Sequence, residues 1–195
     1  MATVAITGHT AGIGKAMAEY FTAKDYQVLG FSRSNGYDIS NEHDRYRIVA
    51  ESKNADVFVN NANDFKTHSP AQTLILKLMT AEWFNESKLI VNVSSTGADF
   101  AHNKMTYNIN KRNQDEHLKI VNQTTKKLHT INLKPDWVAT EWVNASWPDV
   151  AKFNINWPDI GKLDIDQVMK VFDFAFTNLD TMRITEISMY PKFNS

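Results

Sequence analysis

Cysteine is absent from the 195 residues. That excludes a disulfide scaffold, a thiol nucleophile and a cysteine-ligated metal, and it fits a reducing cytoplasm. Neither sign of charge is in excess: 21 Lys and Arg against 22 Asp and Glu leave a net charge of -1. Proteins built for nucleic acid or an anionic membrane are ordinarily basic, so neither is expected as a partner. No stretch approaches the roughly 18–20 apolar residues of a membrane span; the longest apolar cluster, Thr73 to Met79, is short and carries Lys77. The N-terminus lacks a basic segment and runs straight into Gly8, His9 and Thr10, unlike a signal peptide. The expectation is a soluble, cytoplasmic protein.

Hydrophobic residues make up 43% of the chain, and eleven Phe, six Tyr and five Trp supply ample apolar area for a core. The length suits one domain, and no Gly, Ser or Pro linker divides it. Strand-like runs are Thr3 to Thr7, Gln27 to Ser32, Asp56 to Asn60, Lys88 to Ser94, Leu128 to Leu133 and Arg183 to Tyr190. Helical periodicity covers 12–24, Asn41 to about Lys53 with Asn41 as cap, 70–85, 104–127 and Asp164 to Asn178. Strands alternating with helices imply a parallel sheet covered on both faces, a doubly wound three-layer α/β/α fold over residues 1–195. Near-continuous apolar strands agree with a doubly buried sheet. One short repeat, Trp147-Pro-Asp and Trp157-Pro-Asp, reads as two turns or helix starts in one loop.

The first strand feeds Thr7-Gly8-His9-Thr10-Ala11-Gly12-Ile13-Gly14, and a helix follows. Glycines in a strand-to-helix turn let backbone approach a pyrophosphate, and the helix N-terminus offers free N–H groups and partial positive charge. The spacing is not that of a Walker A loop, and Ala16 stands where a magnesium-binding hydroxyl would be. Taken alone, the turn also fits a loop that needs glycine for geometry only. After the second strand, where a 2′-hydroxyl reader would be acidic, the chain has Ser32-Arg33-Ser34. Arg33 either pairs with a 2′-phosphate through its guanidinium fork, favouring NADP(H) over NAD(H), or is a solvated surface residue.

Tyr107 and Lys111 sit four apart on one helix face. A phenol with a pKa of about 10 is a poor acid–base group at neutral pH, and a neighbouring ammonium is expected to lower it. Ser94 and Ser95 lie 13 and 12 residues before Tyr107, at the end of a strand. Ligands of parallel sheets bind outside the carboxyl ends of strands, where a hydroxyl can bond a carbonyl oxygen on its way to an alcohol.

Together these segments resemble the short-chain dehydrogenases/reductases. The matching stretches are Thr7-Gly-x-x-x-Gly-Ile-Gly14, Asp38-Ile-Ser40, Asn60-Asn-Ala62, Val91-Asn-Val-Ser-Ser95, Tyr107-x-x-x-Lys111 and Pro135-Asp-Trp-Val-Ala-Thr140, in that family's order. The resemblance implies a Rossmann-like sheet. It implies that Gly8, Thr10, Gly12, Ile13 and Gly14 cradle the pyrophosphate and nearby ribose, and that Asp38 and Ile39 contact adenine. Asn60 and Ala62 would line the central cofactor path. Pro135, Val138 and Thr140 would fix the nicotinamide ring, and Lys111 would hold its ribose and tune Tyr107. Tyr107 would be general acid in reduction and base in oxidation. Ser95 fits the strand end as carbonyl-binding hydroxyl, although Ser94 has the family's more usual distance from Tyr107.

The chain also departs from that pattern. It is about a quarter shorter than most members, with a vestigial third strand between Arg33 and Asp38 and a short span from Asn60 to Asn92. That span normally carries a fourth catalytic residue, an Asn supporting a relay water; its place falls near His68, and no Asn occurs between Asn63 and Asn85. Asn63 and Asp136 stand where the family has glycine. The histidines show no metal-ligand spacing, so no metal is expected. Trp142, Trp147, Phe153 and Trp157 fall in a segment at about 141–163 that serves either as an aromatic substrate lid or as core closure. The expected activity is NADP(H)-dependent interconversion of a carbonyl and an alcohol on a small substrate, with NAD(H) as a possible substitute. The alternative is a catalytically weak NADP(H)-binding redox sensor or regulator. A homodimer through the Tyr107 helix or the last helix is the expected assembly.

Overall fold

A computed structural model describes residues 1–64, 69–100, 105–146 and 161–192. Six strands form one parallel sheet: β1 (Thr3–Thr7), β2 (Gln27–Phe31), β3 (Val57–Asn60), β4 (Leu89–Val93), β5 (His129–Pro135) and β6 (Glu186–Met189). Their order is β2-β1-β3-β4-β5-β6, every pair parallel. The helices are α1 (Gly12–Ala23), α2 (Glu42–Ser52), α3 (Ala71–Glu82), α4 (Thr106–Thr124), α5 (Glu141–Ser146) and α6 (Ile165–Thr177). Short 3-10 turns follow β2 at Arg33–Asn35 and β4 at Thr96–Asp99. The doubly wound three-layer expectation is met.

Alternation along the strands decides what each layer buries. Val4, Ile6, Val57, Val59, Leu89 and Val91 point to one face, where Met17 and Phe21 of α1 meet Val168 and Phe172 of α6. Ala5, Phe58 and Ile90 point to the other, against Ile48 of α2, Ile75 and Met79 of α3 and Leu118 of α4. Fully buried rings such as Phe21, Phe58 and Phe172 contribute about 1.5–3 kcal/mol each. Helix starts follow local chemistry. Asn41 accepts from the His43 N–H ahead of α2, with Glu42 and Asp44 favourably placed against the dipole. Asp164 and Gln167 form a capping box on α6.

Between β2 and α2 there is no strand, only the 3-10 turn and an irregular run to Asn41. Gly36 ends that turn with φ +86°. This matches the vestigial third strand anticipated from the short spacing. β5 runs two residues further than its apolar stretch suggests, because Pro135 still pairs with Met189 at the edge of the sheet. β6 is shorter than the stretch from Arg183 to Tyr190.

The chain goes from β1 to β2 on one side and returns to β3 on the other. That reversal opens a crevice outside the carboxyl ends of β1 and β3, where parallel sheets bind ligands.

Candidate functional site

The β1 end of the crevice is shaped by backbone. Gly8 and Gly12 adopt φ of +71° and +54°, the left-handed region that a side chain resists. A Cβ on Gly14 would overlap the Gly8 carbonyl oxygen and the Asn61 amide. The turn is held from behind. Thr7 Oγ1 accepts from the backbone N–H of Asn61 and Ala62 at 2.9 and 3.1 Å, and Asn61 Nδ2 donates to the Gly8 carbonyl at 3.3 Å. Ala11, at the start of α1, offers no side-chain cap, and no acidic residue lies in the first turn. The leading N–H groups of α1 therefore face the turn without a side-chain acceptor and without a repelling carboxylate, which suits an anion. Thr10 is exposed and Ile13 is half-buried against the core.

Arg33 projects from the 3-10 turn beyond β2 and is exposed. The hydroxyls of Ser32 and Ser34 lie 2.8 Å apart beside it. Asp38 and Ile39 serve the fold locally. The Asp38 carboxylate accepts from the Ser40 N–H and hydroxyl at 3.0 and 2.8 Å, and Ile39 packs into the core against α2 and α3. Ala62 follows β3 and is half-buried. Pro135 is buried at the end of β5. Thr140 approaches Gly12 closely, since a Cβ there would lie 3.2 Å from Thr140 Cγ2. The start of α1 and the turn after β5 thus meet across the crevice. Val138 is buried and bridges Leu163, with the Leu163 N–H donating to the Trp137 carbonyl at 2.7 Å. The segment leaving after Thr140 returns beside its own start. Trp147, Phe153 and Trp157 lie outside the described residues, as does His68.

The β4 end is built from polar side chains. α4 presents Tyr107, Lys111 and Asp115 at four-residue spacing along the ends of β4 and β5. Ser95 bonds the Tyr107 hydroxyl and accepts from the Gly97 N–H at 3.1 Å. Ser94, the other candidate, donates to Asp115 Oδ1 at 2.6 Å and is buried. The two serines therefore face different partners. Asn60, buried in the last position of β3, donates to Asn92 at 2.8 Å and to the Gln72 carbonyl at 3.1 Å. Asn92 in turn donates to Asn132 at 2.8 Å, and Asn132 to Asp115 at 2.8 Å. The register aligns these three asparagines in one row across the sheet. The row ends at Glu186 of β6, opposite Asn132; two residues further along β5, Lys134 bonds Asp99 at 2.5 Å and lies 3.1 Å from Asp115 and 3.6 Å from Glu186.

The electrostatics correct one expectation. Burial pushes the Tyr107 hydroxyl above its usual range; the Ser95 bond lowers it in part and the Asp115 charge raises it further. Lys111 does not bring it down. Its ammonium lies 5.5 Å from the Tyr107 ring centre and donates instead to Gln72 Oε1 and the Val93 carbonyl, each at 2.7 Å. Burial lowers Lys111 itself to about 7, opposed by Asp115. Lys134 is opposed by its burial, but Asp99, Asp115 and Glu186 together hold it well above the usual lysine range. Asp136 is raised by burial, with the Thr96 hydroxyl and the Trp137 N–H pulling the other way. Its bond to Thr96, at 3.1 Å, ties the end of β5 to the residue after Ser95.

Three participants had not been singled out from sequence: Gln72, Asp115 and Lys134. Asp115 carried a signal, since it extends the Tyr107 and Lys111 spacing by one more turn. Gln72 carried none, because its partners lie on three other elements. Two recesses of about 300 and 210 Å³ flank α4 and share Asp115 and Lys119; neither includes Ser95 or Tyr107 in its lining. Among the described residues no group of His, Asp or Glu is placed to hold a metal ion, and no helix is long and apolar enough to cross a membrane.

No protein-family model matches the chain, and no curated protein matches it in sequence. Solved structures do match in shape. A 4-hydroxyisoleucine dehydrogenase complexed with NADH superposes with a TM-score of 0.76 at 14% identity, over 98% of each chain. A small-chain dehydrogenase in complex with NADPH gives 0.74 at 17% identity, over 97% of this chain and 96% of that one. An alcohol dehydrogenase from the archaeon Thermococcus sibiricus, complexed with 5-hydroxy-NADP, gives 0.74 at 14% identity, over 100% and 98%. The fold is that of the short-chain dehydrogenases. On that fold the chain's glycine turn lies at the switch point and its Ser95 and Tyr107 lie beyond the end of β4.

Proposed function

We propose that this protein is an NADP(H)-dependent oxidoreductase that interconverts a carbonyl and an alcohol on a small substrate. The observation that carries the reading is the bond between the Ser95 and Tyr107 hydroxyls, with Lys111 one turn further on, at the same end of the sheet as a glycine turn that opens on the start of α1. The residues suit the cofactor. Gly8 and Gly12 take the left-handed backbone of the turn ahead of the uncapped start of α1, and Arg33 offers an exposed guanidinium for a 2′-phosphate. Thr140 and Val138 stand on the facing side of the crevice for the nicotinamide end. When bound, NADPH supplies the hydride that reaches the carbonyl carbon.

Tyr107 supplies the proton. Its hydroxyl is protonated at neutral pH, so it carries the proton that reduction needs, although burial makes it the weaker acid. It gives the proton to the carbonyl oxygen while the Ser95 hydroxyl donates a hydrogen bond to the same atom. Lys111 titrates near neutrality and can hold or release a proton beside the phenolate left behind. Lys111 is buried, and its ammonium stays on Gln72 and the Val93 carbonyl one turn from Tyr107.

Tyr107→Phe tests this. On any carbonyl compound the wild type reduces with NADPH, kcat should fall about 10²–10⁴-fold, while the NADPH dissociation constant stays within about threefold. Full activity in that variant removes the proton-donor role. NADPH binding without turnover on a broad carbonyl panel would leave a binding protein, the redox-sensor reading.

A further inference from the structure

Gln72 lies in the first turn of α3 and is buried. Its Oε1 accepts from Lys111 at 2.7 Å and from Gln114 at 3.4 Å. Its Nε2 donates to the carbonyls of Asn60 and Val93 at 2.9 and 3.1 Å, and its own carbonyl accepts from Asn60 Nδ2. One side chain thus joins the last residues of β3 and β4 to α4. The amide has one tolerable orientation. Flipped, its NH₂ would face the Lys111 ammonium and its oxygen would face two carbonyl oxygens. An asparagine is one methylene shorter, which matters for a group spanning three elements at hydrogen-bond distance.

We infer that Gln72 is the positioning residue of the reaction, holding Lys111 against the Val93 carbonyl one turn from Tyr107. This rests on the oxidoreductase reading of the same site. The arrangement leaves Lys111 no freedom to turn toward solvent, because both of its acceptors are themselves fixed: Val93 in the sheet, Gln72 by two backbone carbonyls. The charged and titratable groups around Lys111 are Tyr107 and Asp115 on its own helix, with Lys134 of β5 behind Asp115. What faces it from α3 and β4 is neutral. A carboxylate in place of the Gln72 amide therefore acts on Lys111 directly, while it sets one oxygen against the Asn60 and Val93 carbonyls.

The test follows the Lys111 Cε resonance by NMR in protein labelled with ¹³C-lysine, assigned by its loss in Lys111→Met. Q72E should raise the Lys111 titration midpoint by about one to three pH units. Q72L should lower kcat about ten- to a hundredfold at unchanged KM for the carbonyl, and Q72N should recover part of that loss. A midpoint identical in wild type and Q72E overturns the inference, as does full kcat in Q72L on a substrate the wild type reduces. If Q72L or Q72E does not fold, Q72N, which keeps an amide one methylene shorter, carries the measurement, and a wild-type midpoint with full kcat in Q72N overturns the inference. A shifted midpoint in a protein that turns over no carbonyl would sink the oxidoreductase reading and leave the hold of Gln72 on Lys111 intact.

Discussion

The β1 end of the crevice is shaped by what three glycines leave out, and the β4 end by polar side chains packed inside. At β1 there are positive φ angles, uncapped amides and an exposed Arg33. At β4, Asn60, Asn92, Asn132, Gln72, Lys111, Ser94 and Asp115 are all buried and bonded to one another or to backbone. The first kind of construction depends on local geometry and tolerates solvent. The second depends on every partner being present, because a buried polar group that loses its bond costs about 1–3 kcal/mol. A half-finished phosphate turn loses affinity; a polar row missing one partner loses stability.

The paired serines give the largest contrast within the β4 end. Ser95→Ala should lower kcat about 10²–10³-fold, because Ser95 faces Tyr107, with about 1 kcal/mol of stability lost with its cap on the Gly97 N–H. Ser94→Ala should do the reverse: about 1–3 kcal/mol of stability lost by chemical denaturation, from a 2.6 Å bond to buried Asp115. Equal effects from both would mean that the two hydroxyls are not divided between site and core.

Lys111 extends the test to charge. Unfolded, it binds its proton up to its ordinary value near 10.5; folded, burial releases it at about 7. Between these values the unfolded chain carries the extra proton, so stability rises with pH, and below about 7 the full cost of burying the cation is present. Relative to Lys111→Met, the wild type should therefore gain stability between pH 7 and pH 9.5, by roughly 3 kcal/mol. Urea unfolding at the two pH values measures it, and a flat difference would show that Lys111 is not desolvated. Gly14→Ala probes the other end. Its Cβ has to displace the Gly8 carbonyl, which should cost about 1–3 kcal/mol and abolish NADPH binding. The same stability loss with binding intact would separate the turn from the cofactor.

Legibility in the sequence follows the same division. The β1 end was readable because a strand, a glycine turn and a helix are consecutive, and period-two and period-3.6 patterns placed every strand and the longer helices. Tyr107 and Lys111 were readable because four-residue spacing on a helix is local. The expectation for the phenol failed for a physical reason: spacing puts Lys111 on the face of Tyr107, but not at its hydroxyl, and burial outweighs a cation aimed elsewhere. Gln72 was invisible because its partners are 12 to 42 residues away. His68, placed by counting along the chain, lies outside the described residues, while Gln72 bonds Lys111 directly.

The smallest effect belongs to Arg33, and it sharpens the contrast most cheaply. Exposed, its guanidinium contributes little to the folded state, so Arg33→Ala should leave the unfolding midpoint within experimental error. Its fork fits a phosphate bidentately, and NADPH differs from NADH by one such group. NADPH affinity should therefore fall about tenfold, or about 1.4 kcal/mol, with NADH affinity nearly constant, as read by nicotinamide fluorescence. Because the contact is solvent-exposed, the NADPH advantage of the wild type should also shrink between low and physiological salt. Equal losses for both cofactors would move the 2′-phosphate contact away from Arg33 and leave the β1 end with shape alone to choose its dinucleotide.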